Sequence, residues 1–339
     1  MKALITGGAG RVGKATVRRM LDNGWELRVI GLEDGIDIPG VEYVRCDIMD
    51  YHQVREQMRG CGAVVHLAAL AAPTLAKGHE VFDNNVSGTF HVFEAAAAEG
   101  IRRVAHASSI NAFGVLYSLG EITAHYFPID ENHSTNTTDP YSFAKGTVEQ
   151  IGEYFWRRDG ISSVALRLPA VLPAGWWQME KFQQDRQLAL RTLSELTALP
   201  EDERRARLAD VQRRNLAVRQ SRVMEYHDRI PVWQDLPDYA DPLWRAYAFD
   251  RYNFWAAVDN RDAAQAFEKG LTADYEGAHT LFINDSYNTI GYDSRTLVRL
   301  FFPEVSEDNI RLSGSEALVS IEKARRLIGF EPAHSVGPA

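Results

Sequence analysis

The sequence predicts an α/β protein: a doubly wound parallel sheet with a smaller, mainly helical C-terminal region. Three observations carry this. Short apolar runs alternate with helical stretches through the first half of the chain. Those runs are rich in Val, Ile and Leu and lack polar alternation, as strands buried on both faces do. A glycine-rich stretch separates the first run from the first helix, in "MKALITGGAGRVGKATVRRML".

The elements follow in order. "KALIT", "ELRVIG", "VEYVRCD" and "GAVVHLAA" read as strands. "GKATVRRMLDNG" reads as a helix ended by Gly24, and "NVSGTFHVFEAAAAEG" as one ended by Gly100. "VAHASS" is a further strand. "DPYSFAKGTVEQIGEYFWRRDG" is a long helix with Asp139 as its N-cap and Pro140 at its first position. "SSVALRLP" is the next strand. From Gly175 to about Asp250 no strand is evident. "DRQLALRTLSELTAL" has apolar residues at helical spacing. "PEDERRARLADVQRRNLAVRQSRVMEY" reads as a second helix, acidic at its start and basic toward its end, which suits the helix dipole. Its charge run is expected to be a solvated face, and His227 to be structural or exposed. Five of the seven tryptophans lie between Trp176 and Trp255, which marks this stretch as compositionally distinct. The sheet pattern returns with "WAAVDNRDAAQAFEKGL" and "HTLFIND", and "EALVSIEKARRLIGF" is a short amphipathic helix. The expected organisation is a sheet domain over 1–174 and a helical, aromatic-rich insertion over 175–254. A strand and helix over 255–275 then return to the sheet, and 276–339 completes the substrate region.

Composition narrows the function. Apolar residues are 45% and charged residues 24%, ordinary for a soluble globular chain. The net charge of −9 argues against nucleic acid or an anionic membrane surface as partner, since both select basic patches. No apolar run reaches the ~18 residues that span a bilayer, and the N-terminus lacks a signal-peptide pattern. Cys46 and Cys61 are too few for a disulfide framework and read as buried small hydrophobes in a reduced cytosol. A cytoplasmic protein with a small-molecule substrate and no metal is expected.

"ITGGAGRVGKAT" fits a strand, a tight turn and a helix start. Gly7 allows the turn, Gly10 lets backbone approach a pyrophosphate, and Gly13 lets the helix pack on the strand. The free N–H groups of the helix start then face the anion. This is a Rossmann-like dinucleotide site. "YSFAK" puts Tyr141 and Lys145 at i and i+4, on one helix face. A free tyrosine titrates near ~10 and is a poor base at neutral pH. A lysine ammonium beside it, with a positive nicotinamide ring close, favours the phenolate, which can exchange a proton with a carbinol as hydride moves.

T-G-x-x-G-x-x-G at the N-terminus, with "CDIMD", "VVHLAA", "NNVSGT", "SSINAFG", "YSFAK", "LRLPAVLPAG" and "VDNRDAAQA", resembles the extended short-chain dehydrogenase/reductase family, also called the NAD-dependent epimerase/dehydratase family. The resemblance covers the chain except roughly 175–250. It implies a cofactor site made of Gly7, Gly10, Arg11, Val12, Gly13, Asp47, Ile48, Leu67, Ala68, Ala69, Asn85, Tyr141, Lys145 and Pro169. Asp47 and Ile48 border the adenine; Asn85 holds the ribose side or helps order the site. Ser109, five before Gly114, is the implied third member of the catalytic set with Tyr141 and Lys145. The acid that takes the ribose hydroxyls of NAD falls by the family's count on Gly31. A glycine there, with Arg11, suits a 2′-phosphate; Glu33, two residues on, suits NAD. NAD is favoured and NADP remains open.

The departures matter as much. Dehydratases of the family carry Asp and Glu where this chain has Ile110 and Asn111. Nucleotide-sugar epimerases carry an Asn where this chain runs Ala170 to Ala174. They also place an Arg seven residues before the acid at Asp262, where this chain has Trp255; Arg251 is out of register. Asn111, Trp176 and Trp255 are therefore the candidate substrate residues of a remodelled pocket. The resulting expectation is an NAD(P)-dependent oxidoreductase acting on a secondary alcohol or carbonyl of a sugar or sugar acid not linked to a nucleotide. The alternatives are an NAD-dependent sugar epimerase and a cofactor-sensing binding protein. A homodimer is expected, through the helix bearing Ile151, Tyr154 and Phe155.

Overall fold

The computed structural model describes residues 1–226, 235, 236 and 238–335; His227 and Trp233 lie outside the described residues. The strands are β1 (Lys2–Thr6), β2 (Glu26–Gly31), β3 (Glu42–Arg45), β4 (Ala63–His66), β5 (Arg103–Ser109), β6 (Ser162–Leu168), β7 (Ala170–Leu172), β8 (Ala257–Asp259) and β9 (Ala278–Phe282). The residues of β4 and β6 are all buried, which requires a sheet covered on both faces. Seven strands meet this in one parallel sheet, in the order β3-β2-β1-β4-β5-β6-β9. The chain order reverses between β1 and β4, so their carboxyl ends open a crevice.

The helices are α1 (Arg11–Asp22), α2 (Tyr51–Met58), α3 (Gly78–Phe82), α4 (Gly88–Ala98), α5 (Pro140–Asp159), α6 (Glu180–Ala198), α7 (Glu201–Gln220), α8 (Pro242–Arg245), α9 (Asn260–Thr272), α10 (Ser294–Phe301) and α11 (Glu322–Ile328). Alternate strand residues serve opposite faces. Ile5, Val29 and Val65 pack with Val17 and Met20 of α1 and Phe267 of α9. Leu4, Val64 and Val104 pack with Val54 of α2, Phe93 of α4 and Phe155 of α5. A third, aromatic core holds Phe113, Phe127, Trp244, Tyr252, Phe254, Trp255, Phe301 and Phe302, and joins the insertion to the C-terminal region.

Local sequence explains the helix that carries the expected Tyr/Lys pair. Asp139 caps α5 by accepting the Ser142 N–H at 2.9 Å, Pro140 fills its first position, and Gly160 ends it at φ +65°. Ile151 and Phe155, expected on a dimer face, are instead buried against the protomer's own sheet; Phe143 and Tyr154 are the exposed apolar residues of this helix. The reason is helical phase, since residues 143 and 154 lie on the side away from the sheet.

The insertion is helical, as the sequence indicates, but α7 ends at Gln220. Its charge run is more than a solvated face. Arg214 reaches Asp238 and Asp241, and Arg219 is buried. The parallel pair of β7 and β8 escapes sequence reading because each strand has three residues.

One carboxylate ties the ends of α1 and α9 together. Glu268, 6% exposed, accepts from Arg19 Nε (2.6 Å), Asn23 Nδ2 (2.7 Å) and Trp25 Nε1 (3.1 Å). Glu268→Ala leaves these three donors without their shared acceptor. Asn23 is exposed and Arg19 and Trp25 are half-buried, so water takes up part of the loss; we expect about 1–2 kcal/mol, read as a melting midpoint lowered by a few degrees. An unchanged midpoint would remove Glu268 from the set of stabilising contacts.

Candidate active site

A cavity of about 720 Å³ opens at the carboxyl edge of the sheet, along the crevice between β1 and β4. At one end the loop after β1 turns at Gly7 (φ +69°), where a Cβ would stand 2.7 Å from the Ala68 nitrogen. A Cβ on Gly13 would stand 2.4 Å from the Gly7 carbonyl oxygen. Both close approaches demand glycine. Gly10 is the N-cap of α1 without a side-chain cap, so the first amides of the helix are left to whatever fills the crevice.

Of the expected cofactor residues, Gly7, Gly10, Arg11, Val12, Gly13, Glu33, Asp47, Ile48, Leu67, Ala68, Ala69, Tyr141, Lys145 and Pro169 line this one cavity. Asn85 does not. It is 1% exposed, and its amide accepts from the Leu70 N–H (2.8 Å) and donates to the Leu70 carbonyl (2.9 Å). It orders the loop after β4, and its neighbour Asn84 faces the cavity instead. Arg11 donates to the Val171 carbonyl at 3.0 Å, which engages it at β7. At the end of β2, a Cβ on Gly31 would lie 2.6 Å from Glu33 Oε2. The Glu33 carboxylate therefore occupies the place that a side chain at 31 would fill, and the Tyr43 hydroxyl donates to it at 3.1 Å.

The expected catalytic set comes together at the other end. Ser109 ends β5, and Tyr141 and Lys145 lie on the first turns of α5. The Ser109 hydroxyl is close enough to the phenol of Tyr141 to favour its ionised form. Lys145 Nζ donates to the Ala107 carbonyl at 2.9 Å and stands 5.8 Å from the Tyr141 ring centroid. Asn111 donates its backbone N–H (3.1 Å) and its side-chain amide (3.3 Å) to Ser109 Oγ, and accepts the Leu116 N–H at 3.0 Å. It lines the cavity while spending its amide on positioning.

The protein groups alone favour the neutral phenol: burial pushes Tyr141 up to about 12, against the opposing hydrogen bond from Ser109. Burial also brings Lys145 down to about 8, with Glu149 pulling the other way. Desolvation wins because both groups are enclosed and the ammonium is turned toward a carbonyl rather than the phenol oxygen.

Trp176 and Trp255, expected at the substrate, are core residues. Trp176 packs its ring 4.3 Å from that of Phe182, and Trp255 lies 5.2 Å from Phe301. Neither lines the cavity. Arg251 is buried too, donating to the Phe301 carbonyl and pairing with Glu121. Among the cavity residues that sequence reading missed are Leu70, Asn84, Leu116, Tyr117 and Asn253. Tyr117 lies in a loop with no periodic signal, and Asn253 is masked by the aromatic run around it.

A fold and site of this kind define the extended short-chain dehydrogenase/reductase class. Within it the chain belongs to the NAD dependent epimerase/dehydratase family, whose family model matches residues 3–195. Uronate dehydrogenase of Pseudomonas putida is 27% identical over 174 residues, 51% of this chain and 62% of that relative. NAD-dependent glucose-6-phosphate dehydrogenase of Haloferax volcanii is 31% identical over 177 residues, 49% of this chain and 66% of that relative. The matches thus span less than two thirds of the length of these relatives. The structure of UDP-glucose 4-epimerase with UDP-glucose from Thermotoga maritima superposes with a TM-score of 0.60 over 98% of this chain and 94% of that one, at 17% identity, a likeness of fold.

The Lys145 shift has a consequence for stability. The folded amine titrates near about 8 and the unfolded one near 10.5. Between these values the unfolded chain binds the additional proton, so this group's contribution to stability rises with pH across that window and is unfavourable below it. Lys145→Met should melt above the intact protein at pH 7, with the difference shrinking as pH rises from 8 toward 10. Melting curves across that range check it; a variant less stable at pH 7 would mean that attraction to Glu149 outweighs burial.

Proposed function

We propose that this protein is an NAD-dependent oxidoreductase that interconverts a secondary alcohol and a carbonyl on a sugar or sugar acid not linked to a nucleotide. The observation that carries this is the meeting of Ser109, Tyr141 and Lys145 in the same cavity as the glycine loop and Glu33. The residues present fit the dinucleotide. The glycine cradle, the uncapped start of α1 and the carboxylate at the end of β2 match its pyrophosphate and its ribose hydroxyls. When bound, the nicotinamide supplies the site that accepts or returns hydride.

The chain's own groups do the rest. The Ser109 hydroxyl holds the substrate oxygen and keeps Tyr141 in place. Tyr141 moves a proton between its phenol oxygen and that substrate oxygen. Lys145, held by Ala107, sets positive charge beneath the exchange. A phenol raised to about 12 rests protonated and is poised as an acid for carbonyl reduction. It works as a base once positive charge beside it offsets the burial.

Glu33 supports NAD over NADP, because its carboxylate suits ribose hydroxyls and repels a 2′-phosphate. Engagement of Arg11 at Val171 points the same way. The sugar reading draws on the uronate and glucose-6-phosphate dehydrogenases to which the chain is similar. The exclusion of nucleotide sugars draws on Ala170 and the buried Arg251, which replace the polar handles expected for a diphosphate. Two free, buried cysteines suit a reducing cytosol.

The test is a screen of free aldoses, uronic acids and UDP-, GDP- and dTDP-sugars by absorbance of reduced nicotinamide, with chromatography of the sugars to catch epimerisation. Turnover of a free sugar or uronic acid with NAD is expected, with NADH bound at least ~10-fold tighter than NADPH, a gap of about 1.4 kcal/mol. Tyr141→Phe should cut turnover by ~10²–10⁴ while the fold and NADH affinity hold. Efficient epimerisation of a nucleotide sugar would replace this reading with the epimerase.

The same reading includes a homodimer. Phe143 (56% exposed) stacks on Phe82, and the exposed Tyr154 stacks on Phe90. Together they form an apolar stripe on α5 and its neighbours that a two-fold pairing would bury. Light scattering at micromolar concentration should return twice the mass of one chain; a single-chain mass would sink the dimer.

A further inference from the structure

Beside Tyr141, a second tyrosine stands in the cavity. The ring of Tyr117 meets that of Tyr141 edge-on, with centroids 5.7 Å apart and planes at 90°. Tyr117 lines the cavity and is half-buried, and among the described residues its hydroxyl has no hydrogen-bond partner. A phenol held in place with an unspent hydroxyl is a donor waiting for a ligand.

The loop that carries Tyr117 is fixed from the insertion with unusual thoroughness. Arg219 of α7 is 1% exposed. Its Nη1 donates to the carbonyls on both sides of Tyr117, Leu116 (2.7 Å) and Ser118 (3.0 Å). Its Nη2 donates to Ala248 at 2.6 Å, and its guanidinium lies 3.3 Å over the Tyr252 ring. Tyr252 donates to the Gly120 carbonyl at 3.0 Å, and Arg251 pairs with Glu121 at 2.9 Å. From the other side, Asn111 holds the Leu116 N–H. A planar five-donor fork is the side chain that can fix the two carbonyls flanking one residue and a second segment of chain at once. Asn253, next to Tyr252, lines the same cavity and brings a second neutral polar group.

We propose that Tyr117 is a specificity-determining residue that donates its hydroxyl to a substrate hydroxyl near the reacting carbon, and that Arg219 positions it. The ligand this fits is a polyhydroxylated small molecule whose ring lies against Leu116 and Ile110 and whose hydroxyls meet Tyr117 and Asn253. The inference rests on the sugar oxidoreductase reading and assigns the insertion a role within it. Burial raises the Tyr117 phenol well above its ordinary value, with Tyr141 and Asp139 adding to it, so it stays a neutral donor through the working pH range.

The test uses the intact enzyme and Tyr117→Phe with D-glucuronate, D-glucose and their monodeoxy analogues as probes. Losing one neutral hydrogen bond should raise KM about five- to tenfold, with a much smaller change in kcat. NADH affinity and melting midpoint should hold. One deoxy analogue should show no difference between the two proteins. Arg219→Lys should raise KM similarly and add little on top of Tyr117→Phe, as two changes to one contact do. If Arg219→Lys fails to fold, the Tyr117→Phe result decides alone. Turnover by the intact enzyme with an unchanged KM in Tyr117→Phe, or a fallen melting midpoint as its only effect, would overturn this inference and leave the oxidoreductase reading standing. No turnover of either probe by the intact enzyme would overturn both.

Discussion

The crevice depends on one buried hydroxyl. Thr6 ends β1, and its oxygen accepts the backbone N–H groups of Leu67 and Ala68, each at 3.1 Å. Having accepted twice, it directs its own proton to His66 Nδ1 at 2.7 Å. That fixes the tautomer: Nε2 carries the proton and meets Thr89 at 3.0 Å, and Thr89 in turn donates to the Asn85 carbonyl at 2.6 Å. Asn85 closes the circuit by clamping Leu70. Every member needs His66 neutral, and burial drives its pKa well below the ordinary range. The circuit holds the loops after β1 and β4 at the spacing that Gly7 requires, so the floor of the crevice is set before any ligand enters it.

Much of this was legible in the sequence. The buried strands announce themselves by uninterrupted Val, Ile and Leu, and the glycine loop, the Asp139 cap and the Tyr/Lys spacing are local signals that tertiary packing did not override. What failed were inferences about direction. Trp176 and Trp255 sit in a stretch that flanks the site, and nothing in a sequence says whether an indole turns toward a cavity or a core. Here the aromatic core needed the volume. Of the two roles expected for Asn85, the ordering one is what the structure shows, while its neighbour Asn84 takes the cavity side. The placement of Glu33 is one that only space reveals, since its carboxylate folds back over Gly31. Tyr117 and Arg219 were invisible because they are 102 residues apart and meet only through backbone carbonyls, which leave no pattern.

Tyr141, Lys145 and Glu149 show a site set against its own solvation. The tyrosine is pushed up and the lysine down, both by enclosure, while Glu149 is held by Arg167 through two bonds of 2.8 Å and by Ser108 at 2.6 Å. The carboxylate is thereby fixed one turn beyond the lysine. It favours the charged ammonium, against the larger effect of burial. Perturbation of this kind concentrates where chemistry is done.

The strands β7 and β8 bear on how such a protein changes over generations. They pair directly, Ala170 beside Ala257 and Leu172 beside Asp259, yet more than eighty residues lie between them in the chain. The insertion thus begins and ends at this separate two-stranded pair, so its two ends lie side by side. Closing a loop costs only slightly more as the loop lengthens, so a module anchored this way can be lengthened, trimmed or exchanged while the Ser109–Tyr141–Lys145 geometry stays put. Sequence change can then accumulate in the insertion at little cost to the strands that bracket it.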